Sequence, residues 1–185
     1  TNDFVGIGSI TALSNGNYVV QAQDWDNGGI VDAGAVAWGN GTTGTSGVIG
    51  AANSLVGTAS GDGVGSNGVA AVGNGNYLVL SPIWDQGATI DVGAVTWGNG
   101  TTGIVGAVSS SNSLVGSTAN DLVGNNSLTV LSNGNYVLRS TDWDNGAVVD
   151  AGAVTWGNGS AAMTGLITSS NSLVGSTAND RIGNN

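Results

Sequence analysis

The chain contains no lysine, histidine, cysteine or glutamate, only one proline, and two cationic side chains, Arg139 and Arg181, in 185 residues. Without cysteine there is no disulfide, thiolate metal centre or thiol nucleophile. Without histidine and lysine the usual general bases, the Ser-His-Asp triad and Schiff-base chemistry are gone as well. Catalysis would have to rest on aspartate alone, so the chain is expected not to be an enzyme and to need no cofactor. All twelve acids are aspartate and the net charge is −10. Such a surface has nothing to neutralise phosphates, which excludes nucleic acid and anionic membranes as expected partners. No apolar run approaches the ~18 residues of a membrane-spanning segment. The chain starts at Thr1 with neither Met nor a signal-like apolar run, and is expected to be a processed chain or a piece of something longer.

What is present in quantity is glycine, 34 residues of it, together with a strict internal period. Tyr18, Tyr77 and Tyr136 recur every 59 residues, as do Trp25/Trp84/Trp143, Trp38/Trp97/Trp156 and Asp3/Asp62/Asp121/Asp180. A phase-locked period of this size is the signature of one supersecondary unit repeated in tandem, with function spread over a repeated surface. The aromatic and Val/Leu/Ile payload at fixed spacing argues for folded units rather than low-complexity disorder. The units are placed at 1–60, 61–119 and 120–178, with 179–185 as the start of a fourth and a candidate closing strand.

Within a unit the apolar runs are short, β-branched and end in Gly or Asn, which is a strand vocabulary without helical periodicity. The pairs Asn15-Gly16, Asn74-Gly75 and Asn133-Gly134 sit between such runs. An Asn-Gly pair accepts the positive φ of a tight type I′ hairpin, so two antiparallel strands should meet there. The WDNG and WGNG segments of the third unit mark two further reversals. The expected fold is therefore all-β, three tandem repeats of about four antiparallel strands. Propeller-like blades are the favoured architecture, with a β-solenoid or another three-fold β assembly as the alternatives.

Read as one line, the third unit, DLVG followed by SLTVLSNGNYVLRSTDWDNGAVVDAGAVTWGNG, resembles the FG-GAP repeat of integrin α-type β-propellers and of bacterial surface proteins. Val5-Gly6, Val64-Gly65 and Val123-Gly124 stand in the Phe-Gly place, Ser81-Pro82 keeps part of the Gly-Ala-Pro element, and Gly34-Ala35-Val36, Gly93-Ala94-Val95 and Gly152-Ala153-Val154 match the third strand. The resemblance implies blades of a propeller on an extracellular or cell-surface protein. The family's calcium loop is not carried over, because calcium takes six to eight oxygens and the hairpin here holds only Ser-Asn-Gly-Asn or Gly-Asn-Gly-Asn. Asp142, Asp144 and Asp150, mirrored by Asp24, Asp26 and Asp32, are a second acidic set. The middle unit has Ile83, Asp85 and Asp91 there, so the set is read as solvated turn aspartates and no metal is assigned.

Trp156 follows an apolar alternation and is expected to pack between layers. Trp25, Trp84 and Trp143, flanked by Asp24, Asp26, Asp85, Asp142 and Asp144, are the candidate ligand-binding residues, since a turn Trp between carboxylates suits a carbohydrate platform or a partner-binding rim. The expected function is a non-catalytic extracellular module of a bacterial surface protein, a structural spacer or an adhesive segment with multivalent glycan or protein contacts. A lectin-like glycan binder, a glycosidase using the Asp142/Asp144 pair and an ice-binding solenoid are the alternatives. Because propellers usually have about four to eight blades, three units should not close a ring alone, and a homodimer completing one is expected.

Overall fold

Each repeat folds as a four-stranded antiparallel meander, and the three meanders are stacked face to face. A computed structural model describes residues 3, 5, 9–125 and 128–184. Gly6 of the first Val-Gly element, Ser127 at the head of the third unit and Asn185 of the C-terminal segment lie outside the described residues. Repeat 1 consists of β1 (Ser9–Ala12), β2 (Tyr18–Ala22), β3 (Ala35–Gly39) and β4 (Ser54–Val56). Repeat 2 consists of β5 (Val69–Ala71), β6 (Tyr77–Ser81), β7 (Ala94–Gly98), the two-residue β8 (Gly106–Ala107) and β9 (Ser113–Val115). Repeat 3 consists of β10 (Leu128–Val130), β11 (Tyr136–Ser140), β12 (Ala153–Gly157), β13 (Gly165–Leu166) and β14 (Ser172–Val174). There is no α-helix among the described residues, and none of the three sheets closes into a barrel.

The registers repeat with the sequence: Tyr18 faces Gly39, Tyr77 faces Gly98 and Tyr136 faces Gly157 across the two central strands. The glycine is required for contact reasons, because a Cβ on Gly39, Gly98 or Gly157 would fall within the ring of the opposing tyrosine. Successive repeats are tied edge to edge as well as face to face. β8 of repeat 2 pairs parallel with β4 of repeat 1, and β13 of repeat 3 pairs parallel with β9 of repeat 2.

Strand alternation gives every sheet two different faces. One carries Tyr77, Val79 and Ala94 and looks back toward repeat 1, where it meets Val19, Val36 and Leu55 in a core that also takes in Trp84 and Val115. The other carries Leu78, Leu80, Val95 and Leu114 and looks forward to Tyr136, Leu138, Trp143 and Ala153 of repeat 3. Most of the hydrophobic interior therefore lies between repeats, as expected for a stack of units that bury their faces on one another, with a smaller cluster of Ala22, Trp25, Ala35 and Val56 inside repeat 1.

Two expectations about backbone need correction. A type I′ geometry is present only in repeat 2, where Asn74 and Gly75 have φ of 60° and 78°. In repeats 1 and 3 only Gly16 (φ 87°) and Gly134 (φ 83°) are left-handed, and each donates its N–H to the carbonyl three residues back, Leu13 or Leu131. Those hairpins are type I turns followed by a left-handed glycine. Repeat 2 differs because Gly73 replaces Ser14 and Ser132; its N–H bonds Gly134 O at 2.9 Å, and a Cβ there would meet the Gly134 backbone at 3.0 Å.

The described part of 179–185 does not form the expected closing strand. Asn179, Arg181 and Ile182 donate their N–H groups to Val149, Asp150 and Ala151, as Gly61, Gly63 and Val64 do to Val31, Asp32 and Ala33. The described part of the segment is docked on repeat 3, so it is not a strand held ready for a neighbour.

Candidate functional site

The loops WDNG (25–28), WDQG (84–87) and WDNG (143–146), where the candidate residues cluster, leave β2, β6 and β11 and return to the next strand through a clamp. The N–H of Gly34, Gly93 and Gly152 bonds the carbonyl of Trp25, Trp84 and Trp143 at 2.9, 3.1 and 2.9 Å. That clamp pulls each indole under its loop. Trp25, Trp84 and Trp143 are 8, 4 and 3% exposed, and Trp84 and Trp143 belong to the cores between repeats. The premise of a carbohydrate platform, an open indole at a turn, is thus not met by any of the three. Trp156, expected between layers, is 54% exposed, whereas its counterparts Trp38 and Trp97 are half-buried against the following repeat.

The aspartates around these tryptophans are half-buried and spent on backbone. Asp26, Asp85 and Asp144 each use Oδ1 to accept the N–H of Asp32, Asp91 and Asp150, at 2.9, 2.8 and 2.8 Å. Their own N–H groups donate to Oδ1 of the aspartate that opens each period, Asp3, Asp62 and Asp121, at 3.4, 3.0 and 2.9 Å. Asp62 and Asp121 are essentially inaccessible, at 0 and 1%. Their Oδ2 atoms collect two further N–H groups each, from Thr58 and Ala59 and from Ser117 and Thr118. Burial raises the Asp121 carboxyl from its ordinary value, against the three N–H donors that favour its ionised form. Asp91 is raised too, first by burial and then by the nearby Asp85 charge.

Asp24 and Asp142 do not join these clamps. Asp142 lies 3.5 Å from Arg181, whose guanidinium also bonds Asp150 at 2.7 Å. In repeat 1 a glycine, Gly63, holds the place of Arg181, and Asp24 and Asp32 flank an open cleft with Gln23 and Ser66. Asp142 and Asp144 therefore face different partners, a guanidinium and a backbone amide, rather than one substrate position. Among the described residues no group of three or more carboxylates is arranged to hold a metal ion.

The side chains with the most repeated and specific role lie outside the candidate set: Asn17 and Asn76, with Trp38 and Trp97, which the sequence marks only by their period. Asn17 and Asn76 each accept the N–H of a glycine in their own repeat, Gly41 and Gly100, both at 3.0 Å. Each donates Nδ2 to a glycine carbonyl of the next repeat, Gly100 at 2.8 Å and Gly159 at 3.1 Å. The indole N–H of Trp38 and Trp97 reaches the same two carbonyls, at 2.9 and 3.0 Å. This Asn–Trp–Gly seam could have been suspected from the 59-residue recurrence of Asn17, Trp38 and Gly41, a polar set conserved in phase without any charge.

These features define a stacked all-β repeat protein whose polar residues serve the joints between units. Residues 12–66, 71–125 and 130–184 match the family described as "Repeat of unknown function (DUF5650)", and the chain belongs to it. The family unit ends on the segment that opens each period here, so residues 180–184 close the third unit in that phasing. A comparison with curated proteins finds no match.

Proposed function

We propose that the chain is a non-catalytic extracellular module of a bacterial surface protein, and that its repeats form a rigid spacer. The observation that carries this reading is the seam. Asn17, Asn76, Trp38 and Trp97 repeat the same bonds from unit to unit, so the conserved polar chemistry of the period is used to fix one repeat on the next. A stack of units with only nearest-neighbour interfaces lengthens by a constant step and gains stability with each unit added. Burial of Trp25, Trp84 and Trp143 weighs against the glycan-platform version of the same module. Four-stranded antiparallel meanders packed face to face support a propeller-like blade over a β-solenoid, whose rungs would pair in parallel. The FG-GAP likeness agrees with that blade as a likeness of pattern.

Chains of two, three and four repeats test the spacer. Small-angle scattering should show the longest dimension growing by the same increment per repeat, and the unfolding midpoint should rise with repeat number. A dimension that stops growing rules out the spacer. Saturable binding of a cell-envelope polysaccharide, weakened by Asp144→Asn, would favour the glycan-binding reading instead.

A further inference from the structure

The two internal interfaces show what covers the forward-looking face of a repeat. Val19, Val36 and Leu55 of repeat 1 are 0% exposed beneath repeat 2, and Leu78, Val95 and Leu114 of repeat 2 are at most 2% exposed beneath repeat 3. The same positions of repeat 3 are Val137, Val154 and Leu173. The valines are only half-buried, Leu173 is 74% exposed, and with Trp156 and Ser172 they line a groove of about 400 Å³. At the opposite end, Tyr18, Val20 and Ala37 of repeat 1 are half-exposed around a second groove of about 150 Å³. Their counterparts Tyr77, Val79 and Thr96 are 0% exposed, because they are seated on repeat 1. One end of the molecule therefore presents the surface that the other end's counterparts bind twice within the chain.

We infer that the chain associates with a second copy of itself, head to tail, with repeat 1 of one copy seated on repeat 3 of the other. The occupant is fixed by continuity with the internal interfaces, where the same face is covered twice by the backward face of the next repeat. The joint also completes the polar seam. Trp156 Nε1 and Asn135 Nδ2 stand where Trp97 and Asn76 reach Gly159 O, and the equivalent acceptor on the incoming copy is the partner's Gly41. Asp180 already binds Ser176 and Thr177 as Asp62 binds Thr58 and Ala59. It thus holds the position equivalent to the partner's Asp3. Such a contact is heterologous, using different patches on the two copies, so it builds rings or filaments rather than a two-fold dimer. A net charge of −10 per copy opposes it, and added salt strengthens it. The inference is independent of the spacer reading, since a chain of any function with these two faces would associate in this way.

Complementation between two variants tests it. Leu173→Asp spoils only the forward face and Ala37→Asp only the backward face, both at positions open enough to leave the fold intact, which circular dichroism verifies. Trp156→Ser replaces Leu173→Asp if that chain does not fold. By light scattering the unmodified chain should exceed its single-chain mass of 18.0 kDa as concentration and salt rise. Each variant alone should stay at that mass. An equimolar mixture should form a dimer, because it holds one intact face of each kind. An unmodified chain that remains at single-chain mass at its highest soluble concentration in high salt overturns the inference. So does a variant that still associates alone, or a mixture that does not pair.

Discussion

Leu114 and Leu173 occupy the same place in successive repeats, yet one is 1% exposed and the other 74%. Their strands, β9 and β14, have the same sequence, Ser-Leu-Val, and both pair with the third strand of their meander. What separates them comes from the next repeat: repeat 3 covers the face of β9 and adds β13 along its edge, whereas β14 ends its sheet, so in this fold burial at these positions belongs to the interface and not to the repeat. Side chains that a single unit leaves in water become core when a second unit arrives, which is why stability in such arrays is a sum of unit and interface contributions. The contrast should be large when tested by truncation. Leu114→Ala removes a filled position in the core between repeats 2 and 3 and should cost about 2–5 kcal/mol in denaturant unfolding. Leu173→Ala should stay within about 0.5 kcal/mol. Equal losses at the two positions would mean that the forward face of repeat 3 is covered in solution.

The backward faces sharpen the comparison through pH. Tyr77 and Tyr136 are sealed between repeats, and burial pushes each phenol up to about 12; for Tyr77 an N–H bond from Ile104 partly offsets this. A raised native pKa means that above pH 10 the unfolded chain loses protons that the native chain keeps. The stability present below pH 10 is therefore lost as pH rises toward 12, by roughly 2–3 kcal/mol per tyrosine. Phenolate absorbance from these residues should appear together with loss of the near-ultraviolet circular dichroism. Ionisation without unfolding would show that the faces open.

The seam gives a smaller effect with the same internal control. Asn76→Ala leaves both Gly100 N–H and Gly159 O without this partner, at a cost of about 1–3 kcal/mol for a buried polar group. Asn135→Ala loses the single bond from Gly159 N–H, at 3.2 Å, and should cost about 1 kcal/mol. Chemical denaturation of the two variants beside the parent chain measures the ratio, and equal costs would remove the seam's role in joining repeats.

Much of this fold was legible in the chain. The 59-residue period, the strand-length apolar runs and the Asn-Gly reversals correspond to three meanders of four strands with hairpins at residues 13–17, 72–76 and 131–135. The tryptophans were not legible, for two different physical reasons. Trp143 has carboxylates on either side in sequence, which looks like exposure, but Asp144 turns to a backbone amide and the Gly152 clamp draws the ring inward. Trp156 sits in a strand pattern that looks like core, and its exposure depends on which face of the stack it occupies. In the sequence the period-opening Asp62 and Asp121 show only as markers of spacing. Their role as buried acceptors for two segments at once is visible only when the turn after β4 or β9 is seen beside the next tryptophan loop, at Asp85 or Asp144.

The smallest expected effect distinguishes the ends of the molecule at a single backbone position. Gly63, Leu122 and Arg181 are equivalent, and all three have left-handed φ, at 48°, 48° and 45°. Glycine adopts that conformation without steric cost, whereas a Cβ makes it strained. Arg181 adds the pairs with Asp150 and Asp142, and the hydrogen bond to Asp150 is the main reason its guanidinium holds its proton more tightly than usual. Its side chain is 44% exposed, so solvent and salt screen those pairs. Arg181→Ala keeps the strain and loses the pairs, and should lower the melting temperature slightly at low salt and not measurably at high salt. Arg181→Gly loses the same pairs but relieves the backbone, so it should melt above Arg181→Ala at every salt concentration. If the glycine variant melts below the alanine variant, the ordering entropy of the freer chain outweighs the strain, and the left-handed residue at 181 is no burden on the fold.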